Sequence, residues 1–166
     1  RTGGAFDLAI EGDGFFLVET PQGPRLTRAG QFTPNAEGVL VTAQGYRVLD
    51  AGGAPVFVPT GQGPVGIAAD GTVSAGGRPV GQVGLVVPRE PLRLTREGGT
   101  LFDAPDGVDP APAARVLQGF LEESNVDPVL EVARMIEVGR AYEAGQSFLE
   151  REDERIRKTI QAIQVR

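Results

Sequence analysis

Apolar and polar residues change rhythm once along this chain. Up to about residue 122 they alternate, or cluster briefly between glycines and prolines; from Pro128 onward they recur at helical spacing. Phe6, Leu8 and Ile10 alternate with Asp7 and Ala9, which predicts a strand with one buried face. Residues 15–20 predict a second strand, which Pro21-Gln22-Gly23-Pro24 turns back. Residues 25–29, 39–41, 46–49 and 56–58 come next as short strands. The turn pattern Ala36-Glu37-Gly38 returns as Ala69-Asp70-Gly71 ahead of another short strand, which predicts one hairpin geometry used twice. The run 82–87 is the most apolar and predicts a central strand. Residues 92–94 and 100–102 read as short strands. The three prolines of 103–114 predict a loop, and 115–122 a last strand leading out of the β-rich part.

The second rhythm begins at Asn125-Val126-Asp127-Pro128 and runs to Arg166 with no further proline. Asp127 suits a helix cap, and Pro128 suits the first helical position, where its missing N–H costs nothing. Glu131 near the start and Arg155, Arg157 and Lys158 towards the end favour the helix dipole. Such a helix would be on the order of 55 Å long at 1.5 Å per residue. Met135, Tyr142, Leu149, Ile156 and Ile163 repeat every seven residues, the mark of a helix that packs on another helix. The companion positions are uneven: Val132 and Ile160 are apolar, but Gly139, Gln146 and Asp153 are not. This is half of a seam. The chain offers no second helix of comparable length, so the expected partner is another chain or a segment lying outside these residues. The pattern predicts a mainly β fold with a long C-terminal α-helix. A β-rich domain of short antiparallel strands and hairpins spans 1–124, and a coiled-coil-type helix spans 125–166, with Asn125, Asp127 and Pro128 at the junction.

Composition narrows the chemistry. The 166 residues hold 24 glycines and 13 prolines, nearly all before the helix, as many short turns require. A net charge of −6 and few aromatics argue against a nucleic-acid or anionic-membrane partner. With no histidine and no cysteine, Ser-His-Asp and Cys-His catalysis, thiolate zinc sites and disulfides are excluded. No run of eighteen apolar residues exists to insert as a membrane span. Gly61-Gln62-Gly63-Pro64-Val65-Gly66 matches a dinucleotide fingerprint, but Ile67-Ala68-Ala69-Asp70-Gly71 reads as a strand and turn, not the helix that a pyrophosphate site needs. Glu11 and Asp13 sit among glycines, without the further carboxylates a calcium loop requires. The sequence therefore predicts no cofactor, no metal, no small-molecule substrate and no enzyme. Two other readings stay open on residues alone: a glycan-binding adhesin module with a helical stalk, and a hydrolase using two carboxylates. No tryptophan and only two tyrosines supply a sugar-stacking cleft poorly.

Three stretches resemble the flagellar rod and hook proteins of bacteria. The first is Asp7-Leu8-Ala9-Ile10-Glu11-Gly12-Asp13-Gly14-Phe15-Phe16. The second is Thr27-Arg28-Ala29-Gly30-Gln31-Phe32, continuing through Asn35 and Gly38 to Leu40-Val41-Thr42, Gly45-Tyr46 and Val48-Leu49. The third is Gly119-Phe120-Leu121-Glu122-Glu123-Ser124-Asn125-Val126-Asp127-Pro128, continued by Met135-Ile136-Glu137 and Arg140-Ala141-Tyr142-Glu143. In this order and spacing they span nearly the whole chain. The ending from Leu149 to Ile156 looks most like the proximal-rod branch, with the distal-rod branch second.

The resemblance implies a structural subunit. It implies export through the flagellar type III apparatus without a cleaved signal peptide, and helical assembly with copies of itself and other axial proteins into the rod that crosses the periplasm. It also implies that N- and C-terminal helices pair to line the inner tube while the β domain packs outside. The family's N-terminal helix would precede Arg1, and it is the partner that the half-seam calls for. The assembly interface is accordingly expected at Val132, Met135, Tyr142, Leu149, Ile156, Ile160 and Ile163, and the lone helix is expected to fray in free monomer.

Overall fold

The change of rhythm divides the protein into two compact units, Arg1–Glu122 and Glu123–Arg166. A computed structural model describes residues 1–59, 61–124 and 126–164; at 159 and 161–164 the description covers backbone only. The fold class is the expected one: antiparallel β-sheets and then a single long helix.

The first unit holds fourteen short strands among the described residues. They are β1 (Leu8–Glu11), β2 (Phe15–Thr20), β3 (Gly23–Thr27), β4 (Phe32–Pro34), β5 (Leu40–Thr42), β6 (Arg47–Leu49), β7 (Val65–Ile67), β8 (Thr72–Ala75), β9 (Arg78–Gln82), β10 (Leu85–Pro88), β11 (Thr95–Arg96), β12 (Leu101–Asp103), β13 (Val108–Pro110) and β14 (Arg115–Gln118). The central strand is β2. It pairs with β3 on one edge and with both β10 and β6 on the other. Its alternation reads out onto two cores: Phe16 and Val18 enter the larger one with Leu8, Leu40, Val48 and Val83, whereas Leu17 enters a smaller one with Leu26, Leu49 and Val86. Phe16 meets Phe32 edge-on at 5.1 Å, and Phe15 meets Phe102 at 5.6 Å on the other face. A strand buried on both faces reads as a near-continuous apolar run, as Phe15 to Val18 does.

One turn recurs four times. At Asn35, Thr42, Asp50 and Ala68 the amide donates to the carbonyl four residues on, while the glycine three residues on donates back. Gly38, Gly45, Gly53 and Gly71 all hold φ between 82° and 87°, a left-handed conformation that side chains resist. The expected reuse of Ala36-Glu37-Gly38 and Ala69-Asp70-Gly71 is thus met, with two more copies at Gly45 and Gly53. Asn35 and Asp50 reinforce their turns by accepting two backbone amides each on Oδ1.

The run 82–87 does not form one strand, and it is not the centre. Gln82 ends β9, Leu85 begins β10, and the chain breaks direction at Gly84. The Gly84 amide donates to Leu49, and a Cβ on Gly84 would stand 2.5 Å from the carbonyl carbon of Asp50. Backbone presses on backbone there, so no ladder can run through. Residues 92–94 belong to a 3-10 turn, Pro91–Arg93, and its end, because two prolines three apart spoil pairing. The loop expected over 103–114 contains β13, which pairs with β10. The last strand stops at Gln118, four residues short of its expected end.

The unit closes where its two ends meet. β1 pairs with β14, with Leu8 opposite Gln118 and Glu11 opposite Arg115. Gln118 then reaches sideways: its side-chain oxygen accepts the Ile67 amide, and its NH2 donates to the carbonyls of Ala5 and Val65. The second unit is the helix α1, Pro128–Gln164.

Candidate assembly surface

The helix begins as its sequence dictates. Asp127 Oδ1 accepts the Val129 amide at 2.8 Å and the Leu130 amide at 3.4 Å, and its carbonyl accepts from Glu131. Pro128 is the first helical residue. Asn125 lies outside the described residues. Along the body, Arg157 pairs with Asp153 at 2.9 Å and Lys158 with Glu154 at 3.8 Å, as their four-residue spacing predicts. Each such exposed pair is worth only about 0.3–0.5 kcal/mol.

The apolar residues of this helix face solvent. Val132, Met135, Tyr142, Leu149, Ile156 and Ile160 are between 50% and 69% exposed. The side chain of Ile163 lies outside the described residues. At 100° per residue, Met135, Tyr142, Leu149 and Ile156 drift slowly around one side, and Ile160 joins the same side. The stripe is interrupted at Gly139, Gln146 and Asp153, and Gln146 donates to the Tyr142 hydroxyl at 3.3 Å. Val138 also belongs to this stripe and is 64% exposed. A strict seven-residue count passes over it, while the three-residue step from Met135 would have found it. Val126, Pro128, Val132, Met135 and Val138 together line an apolar hollow over the first turns. Nothing within 4 Å would meet a Cβ on Gly139 or Gly145.

In the β unit, the residue that sequence reasoning missed is Arg28. Its guanidinium donates to the carbonyls of Gly12 (2.9 Å), Gly14 (2.8 Å) and Ile10 (3.2 Å), and its Nε to Glu122 at 2.8 Å. The glycine turn with Glu11 and Asp13 is therefore folded around an internal cation, while both carboxylates remain solvated. Of the dinucleotide-like stretch, Gly61 and Gly63 have positive φ and lead through Pro64 into β7. No helix starts there, so the geometry for a pyrophosphate is missing. Arg25 makes a second buried-edge cluster. It holds Glu97 in two hydrogen bonds, at 2.8 and 3.1 Å, and stands 3.3 Å from Asp103. The Arg25 hydrogen bond keeps the Glu97 carboxyl below its ordinary range, and the same bond raises Arg25.

Comparison with known proteins bears on both halves. Residues 9–75 match the flagellar hook protein FlgE/F/G D1 domain, and residues 117–162 match the flagellar basal body rod FlgEFG protein C-terminal region. The flagellar basal-body rod protein FlgF of Caulobacter vibrioides is 41% identical over 165 residues, covering 98% of this chain and 67% of the relative. FlgF of Rhizobium meliloti is 37% identical over 98% of this chain and 69% of its own length. FlgG of Bacillus subtilis, also a basal-body rod protein, is 34% identical over 96% of this chain and 66% of its own. The chain thus spans about two thirds of the length of these relatives.

Proposed function

The chain belongs to the FlgE/F/G family of flagellar hook and basal-body rod proteins as a structural rod subunit, and we propose that the apolar seam of α1 is the surface by which it is built into the rod. The observation that carries this reading is the exposure of Met135, Tyr142, Leu149 and Ile156 along one side of a 37-residue helix. Exposed apolar residues give this helix no packing energy, and burial against a second helix is what stabilises it. The occupants are other axial proteins and copies of this chain. Knobs at seven-residue spacing set a register that resists sliding, which is what torque transmission from motor to hook demands. In this reading the subunit resides in the basal body and crosses to its place in the periplasmic rod by flagellar export without a cleaved signal.

Relatives named FlgF, at 37–42% identity, stand above those named FlgG, at 28–34%, which favours the proximal over the distal rod. The glycan-binding alternative finds no support among these relatives. The role is structural, with no substrate or cofactor.

These 166 residues contain no cysteine, so a single cysteine placed at Tyr142 or Leu149 is unique among them. Labelled with a thiol-reactive photo-cross-linker within purified basal bodies, such a cysteine is expected to be joined to an adjacent axial subunit, whereas a labelled cysteine at Arg151, on the far side of the helix, is not. Equal cross-linking at all three positions would remove the seam as the assembly surface.

A further inference from the structure

Arg28 and Glu122 form an ion pair whose place in the chain matters more than its strength. Glu122 is the last residue of the β unit. The two side chains are 30% and 44% exposed, a setting in which a pair contributes at most about 1 kcal/mol. Ahead of Glu122 the attachments thin out. The β1–β14 ladder stops at Gln118; Gly119 then donates to Asp7 at 2.7 Å and accepts from Thr2 and Gly3 at 2.9 and 3.1 Å. The Phe120 ring lies 6.0 Å from the guanidinium of the exposed Arg1. Beyond it, the Arg28 pair is the last ion pair before residue 123 among the described residues. The other three contacts of the same guanidinium are backbone carbonyls of the β1–β2 corner. A planar fork of five donors suits that task, and a lysine ammonium cannot reach four acceptors set so far apart.

We infer that Arg28 is a mechanical anchor: it takes load arriving along the chain at Glu122 and passes it to the Ile10–Gly14 corner before the β1–β14 ladder feels it. Without the anchor, tension at residue 123 acts on the end of a two-stranded ladder, whose cross-strand bonds open one after another. With it, opening requires the loss of a charge-assisted bond to a group held at three further points. The inference rests on the rod reading only in supposing that the subunit carries load.

Single-molecule pulling on the full chain tests it, with one handle at residue 166 and the other on a cysteine placed at the exposed Ala36. Glu122→Gln is expected to lower the force of the first opening event and to raise its zero-force rate about threefold to fivefold, the equivalent of up to about 1 kcal/mol. Its equilibrium stability falls by no more than the same amount, since the pair is absent from the unfolded chain as well. Arg28→Lys, which also gives up bonds to the corner carbonyls, has at least the same effect. Glu19→Gln, which breaks the comparable Arg47–Glu19 pair at 2.7 Å, leaves the first opening unchanged. Wild-type opening force in Glu122→Gln overturns the inference. So does an equal drop in Glu19→Gln, which would make the Arg28 pair one exposed contact among several. Failure of the protein to enter basal bodies would strike the rod reading and leave this measurement standing.

Discussion

Leu8 and Gly30 meet backbone to backbone. The Leu8 amide donates to the Gly30 carbonyl at 2.9 Å, and the Leu8 carbonyl occupies the space where a side chain on Gly30 would begin. Phe16, fully buried, closes the same spot at 3.1 Å from that position. The glycine is required here by contact and not by its dihedral angle, since its φ is not positive.

Gly30→Ala should therefore push β1 away from the core and lose roughly 3 kcal/mol or more, by the overpacking route. Gly98→Ala, at a position with open space and no positive φ, should stay within about 0.5 kcal/mol. Urea denaturation of both variants checks the contrast. Equal effects would mean that the close approach is relieved at no cost.

The Arg25–Glu97 contact makes stability depend on acid. Because folding depresses the Glu97 carboxyl, its contribution is present above the unfolded-state value near 4.5 and is lost as pH falls through the lower folded value. Glu97→Gln should be less stable than wild type at pH 7, and the two should converge as the pH is lowered towards 3. Denaturation midpoints at several pH values read this directly, and a gap that is independent of pH would show that the charge is irrelevant.

In the full-length protein, Leu149→Asp combined with Ile156→Asp places two carboxylates in the proposed seam. Burying them unpaired costs several kcal/mol, so assembly and motility should be abolished. Thermal melting of the β unit should not move, since neither residue lies in it. Cells that swim normally with this variant would show that the seam is not an assembly surface.

In free monomer the helix should exchange its amide hydrogens quickly from Leu149 to Ile160, because exposed apolar residues give it no packing energy. The ladders of β2 should be protected far longer. Strong protection over Leu149 to Ile160 in a verified monomer contradicts the frayed-until-assembled picture. Asp127→Ala, which removes the cap, should further lower helix content, by about 1 kcal/mol of helix stability on a circular dichroism readout.

Local signals are legible in the chain without its fold. Residues 15–20 read as a strand, Asp127-Pro128 as a helix start, and Ala36-Glu37-Gly38 as a hairpin turn, because each depends on neighbours in the chain. Two of the misreadings share one cause. The run 82–87 looks like a central strand because burial leaves the same apolar trace whether the chain is straight or broken; the break comes from Asp50, some thirty residues away. β13 hides among prolines because its pairing is set by β10. Among the seam residues, counting sevens alone passes over Val138.

Read alone, the chain settles what is periodic: where strands give way to helix, where glycine must turn the chain, which side of the helix is apolar, and which family the motifs resemble. Pairing across distance emerges with the fold alone. Arg28 and Glu122 are 94 residues apart, and nothing near either one announces the other. Gly30 gains its meaning only once Leu8 lies against it. Hydrogen-bond and side-chain periods are written into the backbone locally, whereas the choice of partner is a sum over many weak long-range contacts that settles only when the chain has closed on itself.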